Sequence, residues 1–128
     1  ILQPESEAWF AQNLDDFLTA YDWTVPMAMP LMESVPVAES DAWLARLVRA
    51  VSARPGALKK TIFELQAKDW TLPQQNAIPD QQLVDWMRTL QLNGVNNYGY
   101  YPDDFLNNQP DISKIRPLFS SYWYPNND

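Results

Sequence analysis

Glu64 and Gln66 stand two residues apart in the stretch TIFELQAKDW, with Phe63 and Leu65 between and before them. On a strand, residues two apart share a face, so this spacing puts a carboxylate and an amide on one side and two apolar side chains on the other. A carboxylate on the inner face of a barrel wall is costly unless it is hydrogen-bonded or used, so Glu64 reads as a ligand contact, an inward structural acceptor, or a group simply exposed on an edge strand. At the end of the same stretch come Asp69 and Trp70. An indole in a loop suits the apolar C–H face of a sugar ring, while nearby carboxylates and amides can take its hydroxyls; the plainer alternative is a Trp folded onto helices. A second cluster reads NNYGYYPDDF over 96–105. Tyr98 and Tyr100 alternate onto one side of a strand and Tyr101 onto the other, Gly99 permits a bend, and Pro102 ends the strand. Asp103 and Asp104 then face the C-terminal rim. Glycosidases use two carboxyls about 5–10 Å apart, but adjacent side chains diverge, so sequence adjacency does not make these two such a pair. Glu33, at the end of VPMAMPLME, is a rim residue by the same logic.

What the chain lacks narrows the chemistry further. Its 128 residues include no His and no Cys. Imidazole general bases, Ser-His-Asp triads, HExxH zinc sites, thiolates and disulfides are therefore excluded within it. No metal site and no cofactor are expected in this segment. The net charge is −7, with a pI of about 4.4. That balance opposes phosphate backbones and anionic lipid and favours a neutral or cationic ligand. Hydrophobic residues make up 46% and aromatics 13%, including six Trp and six Tyr, so a folded core and ring surfaces are both within reach. No apolar run approaches the roughly 20 residues of a membrane helix, and no signal peptide is visible. The chain begins at Ile1 without an initiator Met, which reads as a fragment or a processed product.

The elements that must carry these residues alternate. A first helix is expected from Ser6 through Trp9, Phe10, Leu14, Phe17, Leu18 and Tyr21, then a proline-interrupted strand over 23–33. A second helix, capped by Ser40 or Asp41, buries Leu44, Leu47, Val48 and Val51 and stops at Arg54-Pro55-Gly56. A second strand spans 58–68. A third helix starts near Pro79-Asp80, buries Leu83, Val84, Met87 and Leu90, and ends at Asn93-Gly94. A third strand covers 95–101. Asp111 caps a last short helix with Ile112 and Ile115, limited by Pro117. Met27, Met29 and Met32 read as core filler, and Trp9, Trp43 and Trp86 as packing residues. Single helices between strands imply a parallel α/β sheet in one segment, 1–128. Three strands leave open edges. The chain is then either a small three-layer domain or the last three βα units of a (β/α)8, TIM-like barrel, which needs about 250 residues. Exposed edges also make self-association an expectation. In such sheets the loops after strand C-termini hold the sites, which draws attention to 69–79.

The last third, from Leu92-Asn93-Gly94 through NYGYYPDDF to Ile115-Arg116-Pro117 and Trp123-Tyr124-Pro125, resembles the end of the PgaB family of periplasmic poly-β-1,6-N-acetyl-D-glucosamine deacetylases, and VPMAMPLME and TIFELQAKDW sit compatibly with its late strands. The resemblance implies a two-domain parent: a metal-dependent deacetylase, whose His and Asp motif this chain lacks, and a glycoside hydrolase-like barrel. This chain matches the C-terminal portion of the barrel. Catalytic acids would then sit on other strands, and the parent would be held at the outer membrane by other parts. The partners implied are partly deacetylated poly-β-1,6-N-acetylglucosamine, whose free amines suit the acidic charge, and the remainder of the barrel. Expected sugar contacts are Trp70, Tyr98, Tyr100, Tyr101, Glu64, Asp69, Asp103 and Glu33. Two competing readings stand beside this one. In the first, the units merely close a barrel and their rings are core. In the second, the chain is a small complete enzyme using Glu64 with Asp103 or Asp104.

Overall fold

The computed structural model describes residues 12–119 together with Leu2, Glu5 and Ala8. The expected first-helix residues Ser6, Trp9 and Phe10 and the aromatic tail Tyr122-Trp123-Tyr124 lie outside the described residues. The elements are α1 (Leu14–Ala20), β1 (Met27–Ala28), α2 (Val37–Ser52), β2 (Phe63–Gln66), α3 (Asp80–Leu92), β3 (Tyr98–Tyr101) and α4 (Ile112–Phe119). Single-turn 3₁₀ helices at Pro30–Glu33 and Ala57–Lys60 lie between them. The three strands form one parallel sheet in the order β1-β2-β3. The α/β reading with parallel pairing therefore holds.

Helices cover one face of this sheet. Phe63 and Leu65 are fully buried and join Leu44, Leu47, Val48 and Val51 of α2 and Leu83, Val84, Trp86, Met87 and Leu90 of α3 in one cluster. Burying a side chain of this size contributes about 1.5–3 kcal/mol, so this cluster dominates the stability. A polar link inside it is satisfied throughout: the buried Trp86 Nε1–H donates to Ser40 Oγ at 2.7 Å, and that hydroxyl donates to Val37 C=O at 2.6 Å. Ser40 thus ties α2 to α3 rather than capping α2. The helix starts earlier, at Val37, because Pro36 has no N–H to lose and its φ of −66° already suits a helix entry.

The end of α3 is a Schellman motif, as Asn93-Gly94 foretold. Gly94 takes φ +87°. Its N–H donates to Gln91 C=O at 3.0 Å, and Val95 N–H donates to Leu90 C=O at 3.1 Å. This turns the chain straight into β3.

Four expectations need correction. The first helix does not run unbroken from Ser6 to Tyr21: residues 12 and 13 are not helical, and Asn13 Oδ1 caps α1 by accepting from Asp15 N–H at 2.9 Å. The strand over 23–33 shrinks to Met27–Ala28 with an isolated bridge between Thr24 and Thr61. Thr24 N–H donates to Lys60 C=O at 2.8 Å, so two residues on it is Pro26 that should donate, and it cannot; only its C=O takes part, from Glu64 N–H at 3.1 Å. Pro30 then opens a 3₁₀ turn. The strand over 58–68 is Phe63–Gln66, because Ala57–Lys60 forms the other 3₁₀ turn. Pro117 does not stop α4, which continues to Phe119. Asp111 does cap it, accepting from Ser113 N–H at 3.0 Å.

Candidate functional site

The sheet face opposite the helices carries the chemistry. The register aligns Met27 with Glu64 and Gly99, and Gln66 with Tyr101. By strand alternation these side chains share the face away from Phe63 and Leu65. Glu64 lines an open concavity of about 370 Å³ with Met27, Met29, Met32, Trp70 and Tyr101.

Its ring wall is assembled from two strands' ends. Lys68 bridges Ala77 in antiparallel fashion, and Asp69 N–H donates to Asn76 C=O at 2.8 Å. The expected irregular loop at 69–79 thus begins and ends as a short hairpin. Asp69 Oδ1 accepts from Thr71 N–H at 2.9 Å and from its hydroxyl. That carboxylate folds the turn on which Trp70 sits. The indole stacks on Tyr101, with centroids 6.0 Å apart and planes 21° from parallel. Tyr101 is anchored through its C=O, which accepts from Ala67 N–H at 2.8 Å, while the residue stays 56% exposed.

The other tyrosines go elsewhere. The alternation of Tyr98, Tyr100 and Tyr101 is as read, but it is Tyr101 that meets the concavity. Tyr98 and Tyr100 align with Phe63 and Leu65 and pack on the helix-side cluster. Their rings lie 5.2 Å and 6.0 Å from Phe119 of α4. Tyr98 donates to Leu118 C=O and accepts from Gln91 Nε2 at 2.7 Å. Burial pushes both phenols above their ordinary pKa; at Tyr100 the Asp103 carboxylate adds to the rise.

The remaining carboxylates are dispersed. Asp103 accepts from the Tyr100 hydroxyl at 3.1 Å. Asp104 closes the next loop, accepting from Asn107 Nδ2 at 2.8 Å and Asn107 N–H at 3.2 Å, and these bonds hold its carboxyl below the ordinary range. Neither lines the concavity with Glu64, so no acid–base carboxyl pair is assembled there. Glu33 is exposed and borders a different groove of about 500 Å³ along the β1 edge, with Phe17, Tyr21, Trp23 and Val25. That groove is the larger, but it lacks the stacked rings, so the candidate site is the smaller one. Among the described residues, no three His, Cys, Asp or Glu side chains converge as a metal site.

One feature escaped the reading of the residues. Met27 and Met32 are 60% and 46% exposed on the concavity, so of the three methionines only Met29 is buried. The parity of Met27 and Met29 with Glu64 depends on the register between strands. Gln66, read as sharing the inward face with Glu64, is fully buried there, and both ends of its amide are bonded.

The parallel α/β sheet thus presents a stacked Trp–Tyr pair beside a carboxylate on the face opposite the α2–α3 core. The chain belongs to the family described as hypothetical glycosyl hydrolase family 13, whose model matches residues 1–101. It is 57% identical over 129 aligned positions to the poly-beta-1,6-N-acetyl-D-glucosamine N-deacetylase of Escherichia coli (strain K12), and equally to that of Escherichia coli O157:H7. All of this chain is covered, and it spans 19% of the length of those relatives. The solved glycoside hydrolase domain of PgaB (BpsB) from Bordetella bronchiseptica superposes with a TM-score of 0.84 at 46% identity. That match covers 94% of this chain and 33% of the other. The resemblance drawn from NYGYYPDDF and its neighbours is therefore correct. Among the described residues no helix is long and apolar enough to cross a membrane.

Proposed function

We propose that this chain forms the last three βα units of a glycoside hydrolase-like (β/α)8 barrel and supplies one sugar-contacting wall of its cleft. The polymer is partly deacetylated poly-β-1,6-N-acetylglucosamine. The observation that carries this reading is the Trp70–Tyr101 stack beside Glu64 on the face without helices. The two rings give apolar surface for a pyranose face. Glu64 gives a carboxylate for a hydroxyl or a glucosamine ammonium, in line with the net charge of −7. Met27 and Met32 add a soft, adaptable border.

On this reading the open β1 and β3 edges take the neighbouring strands of the barrel. The catalytic carboxyls stand on those other strands, because no pair is assembled around Glu64. Asp69 and the Tyr100–Asp103 pair serve the site by shaping its rim. The parent enzyme works in the periplasm, associated with the outer membrane, and processes the polymer for export and biofilm formation. Tyr98 and Tyr100, packed against α4, favour a barrel-closing role for the opposite face.

The test is titration of the intact protein with β-1,6-linked glucosamine oligomers. Trp70→Ala combined with Tyr101→Ala should weaken binding at least tenfold, about 1.4 kcal/mol, while the melting temperature stays close to the parent's. Equal affinity in a folded double variant overturns the site.

A further inference from the structure

We propose that Gln66 is a positioning residue that sets the separation between the two walls of the concavity. The consequence for sugar rests on the reading above; the geometry does not. Gln66 stands two residues beyond Glu64 on β2, is fully buried, and reaches in both directions. Its Oε1 accepts from Leu31 N–H at 2.9 Å, and its Nε2 donates to Lys68 C=O at 2.9 Å. The amide orientation is forced, since one partner can only donate and the other only accept.

Each bond falls at the foot of a different wall. Leu31 lies in the 3₁₀ turn Pro30–Glu33, which carries Met32 and follows Met29. The start of that turn has no side-chain cap of its own, and Pro30 has no N–H, so Leu31 N–H is the donor left over. Gln66 supplies the missing acceptor from across the sheet. Lys68 C=O belongs to the bridge that starts the hairpin bearing Asp69 and Trp70. One amide thus holds the methionine wall and the tryptophan wall at a fixed distance. A side chain of equal length without both a donor and an acceptor cannot do so. Methionine leaves two partly buried backbone groups unpaired. A carboxylate keeps the Leu31 bond and turns a like-signed oxygen toward Lys68 C=O.

The test uses the intact protein labelled with 5-fluorotryptophan, with the Trp70 resonance assigned by its loss in Trp70→Phe. Without sugar, Gln66→Met should move or broaden the Trp70 resonance and the Met32 methyl signal and leave Trp86 unmoved. Gln66→Glu should move Trp70 and leave Met32 near its parent position. Affinity for β-1,6-glucosamine oligomers should fall threefold to tenfold in Gln66→Met. Unmoved Trp70 and Met32 signals in that variant overturn the proposal. Moved signals with unchanged affinity uphold the positioning role and count against the sugar-binding reading instead. Hydrogen exchange in the unsubstituted protein needs no variant: Leu31 N–H should be protected, and rapid exchange there overturns the proposal.

Discussion

The four residues of β2 build two unlike surfaces. Phe63 and Leu65 point into helices α2 and α3 and are wholly removed from water. Glu64 and Gln66 point the other way, where none of the described α-helices lies over them. There the carboxylate keeps partial solvent access, and the amide is buried only with both ends bonded. One face stores folding energy, and the other holds groups whose burial costs free energy unless partners are supplied. The same contrast runs along β3, where Tyr98 and Tyr100 belong to the packed side and Tyr101 to the open one. A sheet of this kind devotes alternate residues to the packed core and to the open polar face, so neighbouring positions should respond to substitution in opposite ways.

Phe63 and Glu64 give the sharpest test of that contrast. Phe63→Ala should destabilise by about 3–5 kcal/mol, through lost burial and the cavity left behind, read as a fall in the urea midpoint of the intact protein. A loss under about 1 kcal/mol would mean that the helix face is not the main store of stability. One residue on, Glu64→Gln should leave stability within about 0.5 kcal/mol. It should weaken binding of glucosamine oligomers about threefold, or roughly 0.7 kcal/mol, and lower the salt dependence of that binding. Equal loss for fully N-acetylated oligomers would argue that Glu64 serves hydroxyls rather than ammonium groups.

The smallest effect is expected at the edge of the packed side, where Asp80 at the start of α3 accepts from Lys114 Nζ at 2.8 Å and Asp111 N–H at 3.2 Å. Lys114, foremost, holds the Asp80 carboxyl below its ordinary pKa of 3.8. A depressed folded-state pKa means that the contribution is present above pH 3.8 and is lost as pH falls through the lower folded value. Asp80→Asn should therefore flatten the acid limb of thermal stability below about pH 4 and shift the melting temperature at neutral pH by a few degrees at most. An unchanged acid limb would show that α4 does not depend on this contact.

Much of the packed side was legible in the residues themselves. The stripes Leu44-Leu47-Val48-Val51 and Leu83-Val84-Met87-Leu90 are helical by spacing, and all eight side chains are buried. Asn93-Gly94 named its own cap, because a positive φ is cheap only for residues such as glycine. Less of the open side was legible. Pro26 and Pro30 showed that the first strand would be interrupted, but not that two paired residues would remain. Met27 and Met32 read as core because a thioether fits a core or a border equally well. Ser40 read as a cap because its competing partner, the Trp86 indole, is 46 residues away in sequence.

By itself the sequence determined the parallel α/β order, the helix-side core, the absence of imidazole and thiol chemistry, and the parity of its tyrosines. Each of these follows from residue type or from spacing within one element. Only the tertiary structure decided which parity class meets the open concavity. The alignment of Glu64 with Gly99 assigns Tyr101 to that face, and the hairpin after β2 brings Trp70 against it. The physical reason is that strand register and loop closure are set by hydrogen bonds between distant segments. In NNYGYYPDDF alone, Tyr98, Tyr100 and Tyr101 have no partner to choose.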